Sequence, residues 1–281
     1  MMNYRVRKNF ISKEMCEDLI SDFISHTPSD AFRWHGGRKL IANTSIEFNN
    51  LLSKSRAWKK LSSVLASESF SKELLSELKI PASKFKITTF YSYFASNFSQ
   101  LRGRSTGMIR NANPIFLIFW AFYSSIIRGV ARGYANLVKL FGYNLVELFY
   151  DASSASNGYK REIHRDSDAR VFVFLLYLNQ IPRVGDSSGG ELCIHTFTGS
   201  SGKIPAQPDI KESPIVDRLE PDQGTLVFFE NDEEALHSVS EMSGFVGERY
   251  FIYGSLTLLS GQNKIFANSK EHLATDFRMY L

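Results

Sequence analysis

The sequence predicts a mainly β protein with a helical N-terminal part. Helical periodicity, with apolar residues recurring every three or four positions, is concentrated in residues 1–84. Beyond Tyr150, short runs rich in β-branched and aromatic residues alternate with turns that carry Gly, Pro, Asp and Ser. Helices first and short strands afterwards favour a β-sandwich or a barrel with helices packed against one side. With 281 residues and 43% hydrophobic content, the chain can bury such a core as one domain over residues 1–281.

Residues 1–84 are interpreted as a helical support for the core. Residues 12–25 begin with a serine that can cap a helix, and then repeat apolar residues on one stripe. A second helix is predicted after Ser53, with Trp58 on its apolar face, and a third over residues 70–78. We expect these helices to pack against the β part.

The strands are predicted from runs of β-branched and aromatic residues. One such run, FKITTFYSYF, begins at Phe85. The others cover residues 171–179, 190–197, 224–229, 236–242 and 249–258.

Residues 95–149 are interpreted as an insert or lid. Residues 99–113 indicate a mobile loop, and residues 114–127 are apolar all round but shorter than the roughly 20 residues that a membrane span requires. We expect residues 114–149 to be helical. They form either a buried helical pair, which is the favoured interpretation, or a helix that lies in a membrane interface.

The charge distribution points to an anionic partner. The net charge is only +4, but no Asp or Glu occurs between Glu77 and Glu147, and basic and aromatic residues are interleaved there. Phosphate, a carboxylated sugar or anionic lipid heads would suit such a face. We therefore expect a small-molecule or glycolipid substrate with peripheral membrane association, and no nucleic acid.

The cysteines and the N-terminus indicate a cytoplasmic protein. Cys16 and Cys193 are far apart in sequence, which excludes a disulfide framework and favours a reducing compartment. The first ten residues lack the apolar core of a secretory signal. The expected location is the cytoplasm, with the inner membrane surface as a peripheral site. Patterns for hydrolases, NTPases and dinucleotide-binding proteins are absent from the sequence.

Two histidines and one aspartate form a candidate metal site. His164 and Asp166 are two residues apart in EIHRD, so in a strand both side chains would project from one face. His237, at the start of a later strand pattern, would supply the third ligand. Two imidazoles and one carboxylate are the facial triad of non-haem Fe(II), which leaves three positions open. Each histidine alone is more often a surface or core residue, but Arg249 opens a strand from which it could bind a carboxylate bidentately.

At these residues the sequence resembles the Fe(II)/2-oxoglutarate-dependent oxygenases, in particular the prolyl-hydroxylase-like branch. The resemblance runs from about residue 150 to residue 258 and includes the phrases SGGEL (188–192) and GTLVFFEND (224–232). It implies a double-stranded β-helix, or jelly roll, with residues 150–260 as the catalytic core. It also implies Fe(II), 2-oxoglutarate as co-substrate, and O2.

The resemblance assigns roles to six residues. As iron ligands it implies His164, Asp166 and His237, and as residues that contact 2-oxoglutarate it implies Arg249, Tyr177 and, more weakly, Tyr150. Family members that halogenate replace the carboxylate ligand by Gly or Ala, so the presence of Asp166 favours hydroxylation of a C–H bond, with succinate and CO2 as products.

Three functional hypotheses remain open at this point. The favoured one is a hydroxylase of a small metabolite or an anionic glycolipid. The second is a protein or peptide hydroxylase of the prolyl type, with the loop at residues 99–113 folding over an extended peptide. The third is a non-enzymatic binding module on the same fold, which the intact set of site residues disfavours.

Overall fold

The fold is that of a computed structural model, and the described residues are 1–28, 32–35, 37–89, 126, 129–130, 133–180, 189–200 and 204–259. Four named helices lie in the N-terminal part. They are α1 (Lys13–His26), α2 (Ile46–Lys54), α3 (Arg56–Leu65) and α4 (Glu68–Glu77). Each begins after a serine whose hydroxyl accepts a hydrogen bond from a backbone N–H of the first turn.

The three predicted helices are therefore confirmed, and a fourth, α2, was not predicted. Its sequence, IEFNNLLSK, buries only Phe48 and Leu51. A stripe of two residues is too sparse to be recognised as helical periodicity. Helix α2 forms because it packs on α1, α3 and the sheet, through Phe48 and Trp58 among others.

The described strands form two sheets. Their bounds are β1 (Tyr4–Arg7), β2 (Arg33–His35), β3 (Arg38–Ala42), β4 (Phe85–Ile87), β5 (Asn144–Ala155), β6 (Arg161–His164), β7 (Arg170–Tyr177), β8 (Leu192–His195), β9 (Ile215–Leu219), β10 (Leu226–Glu230), β11 (His237–Val239) and β12 (Arg249–Leu258). The larger sheet has the order β1-β10-β7-β12-β5-β3-β2, with β4 beside β5, and the smaller has the order β6-β11-β8-β9.

Strand β7 explains how the two sheets and the helices share the core. All eight of its residues are buried. Because side chains alternate along a strand, Phe172, Phe174 and Leu176 pack with the helices, whereas Val173 and Leu175 pack with the smaller sheet. The continuous apolar run in the sequence is thus a strand covered on both faces. The predicted arrangement, with helices on one side of a β core, is confirmed.

The prediction that residues 114–149 are wholly helical is wrong from Asn144 onward, where β5 begins. Strand β5 pairs with β12 over most of its length and with β3 on its other edge. This pairing overrides the helix-compatible sequence NLVELF. The strand predicted from Phe85 is confirmed only for Phe85–Ile87, and the predicted loop at residues 99–113 lies outside the described residues.

Residues 133–140 are helical, but the helix is not buried all round. Ala135 and Val138 pack under it against the end of β5, while Leu137 and Leu140 are 52% and 82% exposed. The favoured interpretation as part of a buried helical pair thus fits only one face of this helix, because the other face is exposed. Among the helices of the described ranges, none has both the length and the apolar character needed to cross a membrane.

Candidate metal centre and its cavity

The three predicted metal ligands converge in the structure. His164 is the last residue of β6 and His237 is the first of β11, and the two are paired in register with ring centroids 4.4 Å apart. Asp166 lies two residues beyond β6 and not on it, which differs from the single strand that the spacing suggested. Even so, one ligand atom from each residue lies within 4.8 Å of the others.

Both imidazoles are oriented by backbone carbonyls. Nδ1 of His164 donates to the carbonyl of Glu162 at 2.8 Å, and Nδ1 of His237 donates to the carbonyl of Ala235 at 3.0 Å. Because a carbonyl oxygen can only accept, each Nδ1 must carry the proton, and each Nε2 presents its lone pair. Fixing the tautomer through the second ring nitrogen is the usual arrangement around a metal-binding histidine.

Burial keeps these imidazoles neutral. It lowers the pKa of His237 to about 4, with the positive charge of a protonated His164 acting in the same direction. Burial also lowers the pKa of His164. Neutral imidazole is the form that binds a metal, so near neutral pH few protons would have to leave these two rings before binding.

The carboxylate of Asp166 is largely buried, with 9% of its side chain exposed, but it is well supplied with donors. Arg170 Nη1 donates to Oδ1 at 2.8 Å, and the Tyr253 hydroxyl lies 2.9 Å from both oxygens and donates to the carboxylate. Arg170 also donates to the Tyr253 hydroxyl. Burial alone would raise the pKa of Asp166, but the charge of Arg170, followed by those of the histidines, holds it below its ordinary value. Asp166 is therefore an anion in a fixed orientation.

A second buried ion pair, between Arg38 and Asp151, lies next to the Tyr253 ring. Arg38 on β3 donates to both oxygens of Asp151 on β5, at 3.0 and 3.2 Å, and to the hydroxyl of Ser153 at 2.9 Å. Its guanidinium carbon lies 4.8 Å from the centroid of the Tyr253 ring. A cation at this distance is attracted to the ring face and restricts how the ring can move.

A cavity of about 610 Å3, part of it open to solvent, contains the three candidate ligands. Its charged and imidazole walls are formed by Arg38, Arg161, His164, Asp166, Arg170 and His237. Its remaining walls are formed by Tyr159, Leu175, Leu192, Val239, Phe251 and Tyr253. The cavity thus combines a metal-binding set, three guanidinium groups and an apolar and aromatic surface.

Arg249 and Tyr177, predicted to hold the co-substrate, lie next to this cavity but not in its wall. Arg249 shares the inward face of β12 with Phe251 and Tyr253, and Tyr177 pairs in register with Phe251. Arg249 is 3% exposed, and Nη1 donates to the carbonyl of Gly190 at 2.6 Å. Its Nε is buried without a hydrogen-bond partner among the described residues.

Gly190 is required by the position of Arg249. A Cβ at Gly190 would lie 1.8 Å from Nη2 of Arg249, and the φ of Gly190 is +85°. Both the close approach and the left-handed backbone favour glycine here. The SGGEL phrase is explained in part by this packing of backbone against the guanidinium.

Tyr150 and His195 point elsewhere. The Tyr150 hydroxyl forms a 2.7 Å hydrogen bond with Ser62 of α3, in the core between sheet and helices, so the structure does not bring this tyrosine to the cavity. His195 is 1% exposed, and its ring nitrogens bond to the Ser213 carbonyl and the Ser238 hydroxyl at 2.7 and 2.8 Å. His195 is therefore packed in the core and does not face the cavity.

The sequence interpretation missed several residues of the cavity wall. Arg170 and Tyr253 could have been found, because Arg170 follows Asp166 by four residues and Tyr253 alternates with Arg249 along one strand face. Arg38 carried no such signal, since only the pairing of β3 with β5 brings it to Asp151. Arg161 and Tyr159 were likewise not assigned to the site.

Comparison with known proteins agrees with this geometry. The model of the 2OG-Fe(II) oxygenase superfamily matches residues 150–256, which include all three candidate ligands and Arg249. No protein with a curated description matches the sequence.

Solved structures resemble the whole chain at low sequence identity. Prolyl 4-hydroxylase of Phytophthora capsici is similar with a TM-score of 0.50 and 14% identity, over 99% of this chain and 67% of that chain. A prolyl hydroxylase of Trichoplax adhaerens, in complex with a hypoxia inducible factor peptide fragment, is similar with a TM-score of 0.48 and 13% identity, over 96% of this chain and 89% of that chain. A prolyl-4-hydroxylase of Pseudomonas putida is similar with a TM-score of 0.41 and 14% identity, over 92% of this chain and 94% of that chain.

The fold is thus the jelly-roll type of the 2-oxoglutarate oxygenases, as predicted. The family uses Fe(II), 2-oxoglutarate and O2, and its donor set of two histidines and one aspartate is present here. Residues 150–256 therefore match the 2OG-Fe(II) oxygenase superfamily, and the predicted resemblance to these enzymes is confirmed for this part of the chain.

Proposed function

We propose that the protein hydroxylates an unactivated C–H bond of a small metabolite or an anionic glycolipid, with 2-oxoglutarate converted to succinate and CO2. The observation that carries the proposal is the convergence of His164, Asp166 and His237 beside a cavity lined by arginines. In family members that halogenate, a halide takes the place of the carboxylate ligand, and here Asp166 occupies that place. Hydroxylation is the chemistry that this set favours.

The residues present fit an Fe(II) ion. The donors are the Nε2 atoms of two neutral imidazoles and an oxygen of one ionised carboxylate, and this combination suits non-haem Fe(II). No cysteine joins the described cluster. The ring tautomers are already fixed and Asp166 is already oriented. His164, Asp166 and His237 are the residues that would hold the metal.

Arg249 and Tyr177 fit the distal carboxylate of 2-oxoglutarate. A buried guanidinium whose Nε lacks a partner needs an acceptor, and a carboxylate supplies one at two oxygens. Burial raises the pKa of Tyr177 to about 12, against the opposing charge of Arg249, so its hydroxyl remains a hydrogen-bond donor. When 2-oxoglutarate binds, Arg249 would replace its hydrogen bond to the Gly190 carbonyl, at least in part, by hydrogen bonds to the co-substrate carboxylate.

The protein contributes orientation and exclusion of water. When bound, Fe(II) and 2-oxoglutarate supply the oxidising chemistry with O2. Arg170 and Tyr253 hold Asp166 in one rotamer, while Leu192, Val239 and Phe251 provide apolar walls around the reacting C–H bond. Keeping water away limits side reactions of the oxidant.

The described residues also support a membrane-facing surface near residues 126–143. Large apolar side chains are exposed there, with Phe141 at 74% and Leu140 at 82%. They lie in the interval that contains no acidic residue, so anionic lipid heads would not be repelled. Exposed apolar side chains in an interval without acidic residues suit an acyl chain and its anionic head group, which favours a glycolipid substrate over a peptide.

The metal assignment predicts that His237→Ala abolishes iron-dependent turnover and leaves the fold intact. The substitution removes one of three ligands from the cavity wall. Succinate formed from 2-oxoglutarate with Fe(II) and O2 should become undetectable, while the circular dichroism spectrum stays unchanged. His26→Ala, on the partly exposed end of α1, is the matched control and should keep full activity. Full Fe(II) binding by His237→Ala would exclude the assignment.

Tyr253→Phe is expected to weaken Fe(II) binding without removing a ligand. The substitution deletes the hydrogen bond to Asp166 and leaves the charge of the site unchanged. Loss of such a supporting contact typically costs about 10- to 100-fold in metal affinity or activity. Tyr250→Phe, on the opposite face of the same strand, is the control in an anaerobic Fe(II) titration. Equal affinities for the two variants would show that Tyr253 does not position Asp166.

The membrane contact is tested by co-sedimentation with vesicles. Wild-type protein should bind anionic vesicles but not neutral ones, and less as salt rises, because each nearby basic residue adds about 1 kcal/mol. The double variant Leu140→Asp/Phe141→Asp should lose this binding. The control variant Ile210→Asp replaces an apolar residue that is 70% exposed outside this surface, and it should keep the vesicle binding. Absence of wild-type binding to anionic vesicles would leave a water-soluble substrate as the proposal.

A further inference from the structure

Of the three arginines in the cavity wall, two are neutralised by carboxylates and one is not. Arg38 is paired with Asp151 and Arg170 is paired with Asp166. The side chain of Arg161 makes no hydrogen bond or ion pair within the described ranges of the chain, although it lines the same cavity. Its donors are therefore available to a ligand.

A β-bulge aims Arg161 into the cavity. Arg161 and His164 are three residues apart on β6, and strict alternation would put them on opposite faces of the strand. His164 pairs with His237 of β11, and Arg161 pairs with Val239. A separation of three residues along β6 therefore lies opposite a separation of two residues along β11. The extra residue returns Arg161 to the face that carries His164. Bulges beside active sites commonly re-aim a side chain in this way.

The neighbouring acid does not neutralise Arg161. Glu162 has an 82% exposed side chain and pairs with Lys160 at 3.0 Å. Inside the cavity, Arg161 is close enough to Tyr159 that its charge, with that of Arg38, opposes the rise in the phenol pKa that burial causes. Arg161 therefore lies near Tyr159, while the carboxylate of the cavity wall, Asp166, is already paired with Arg170.

We propose that Arg161 is the residue that selects the substrate, by binding a carboxylate or phosphate group on it. The inference rests on the proposed function in one respect, that the molecule held there is the one hydroxylated. A guanidinium matches both anions in bidentate geometry and is charged at every relevant pH. A neutral substrate would leave this charge in the cavity without a partner.

The strand geometry also limits the size of the substrate. A strand rises about 3.3 Å per residue, so the Cα atoms of Arg161 and His164 lie within about 10 Å. The anionic group and the C–H bond to be oxidised must span a similar distance. Val239 and Phe251 line the same cavity and suit a compact apolar or ring portion of the substrate.

The test is calorimetric titration of anaerobic protein, loaded with Fe(II) and saturated with 2-oxoglutarate, using phenyl phosphate, benzoate and benzyl alcohol. We expect the two anions to bind and the alcohol to bind at least about tenfold more weakly. Arg161→Gln should lose about 10- to 100-fold in anion affinity, the range for a charge-assisted contact. Arg161→Lys should lose less. Lys160→Gln, which removes a charge one residue away outside the cavity, should lose nothing.

Three results would overturn the inference. The first is equal binding of the anions and benzyl alcohol, and the second is unchanged anion affinity in Arg161→Gln. The third is a loss of anion affinity in Arg249→Gln and not in Arg161→Gln, which would mean that the probe occupies the co-substrate site. Soluble dihexanoyl phosphatidic acid, titrated beside phenyl phosphate, distinguishes a lipid phosphate from a water-soluble one. Titrations of the metal-free protein separate this inference from the proposed function, because anion binding at Arg161 can be measured whether or not Fe(II) binds.

Discussion

The burial of the Asp166 carboxylate is the constraint on which the rest of the site depends. An isolated buried anion is strongly unfavourable, so it must be paired and hydrogen-bonded. Arg170 and Tyr253 provide those contacts, and Arg38, itself held by Asp151, restrains the Tyr253 ring. The strands that carry these residues, β3, β5, β7 and β12, lie next to one another in the larger sheet. The pairing of β11 with β6 in the smaller sheet then brings His237 and His164 to the same carboxylate.

The same sheet geometry places three positions in or beside one cavity. One is the candidate metal-binding set, whose polar atoms are already oriented by hydrogen bonds. The neighbouring region, around Arg249 and Tyr177, is buried and has a donor that is not satisfied by the described residues. Arg161 provides a third, more accessible charge. We propose that these three positions bind the metal, the co-substrate and the substrate.

Much of this could be predicted from the sequence, because it depends on local patterns. The H-x-D spacing, the later histidine and the arginine that opens a strand are short signals whose order is informative. Five of the C-terminal strands, β7, β8, β10, β11 and β12, follow from β-branched and aromatic runs. Arg161 could not be found in this way, since a bulge reverses the expected facing of its side chain and only the pairing of β6 with β11 reveals the bulge. Strand β5 was missed for a similar reason. Its first residues are compatible with a helix, and only its long-range pairing with β12 decides its conformation.

We propose that His164, Asp166 and His237 hold a metal and that Arg249, next to the same cavity, binds a carboxylate of 2-oxoglutarate. Anaerobic titration of 2-oxoglutarate into Arg249→Gln, with and without Fe(II), tests this most directly, and Arg5→Gln, on β1 and not in the cavity wall, is the control. We expect that Fe(II) affinity is unchanged while 2-oxoglutarate affinity falls about 10- to 100-fold, and that the wild-type protein binds 2-oxoglutarate more tightly with Fe(II) than without it. Binding of 2-oxoglutarate that depends on neither Arg249 nor the metal would contradict both assignments.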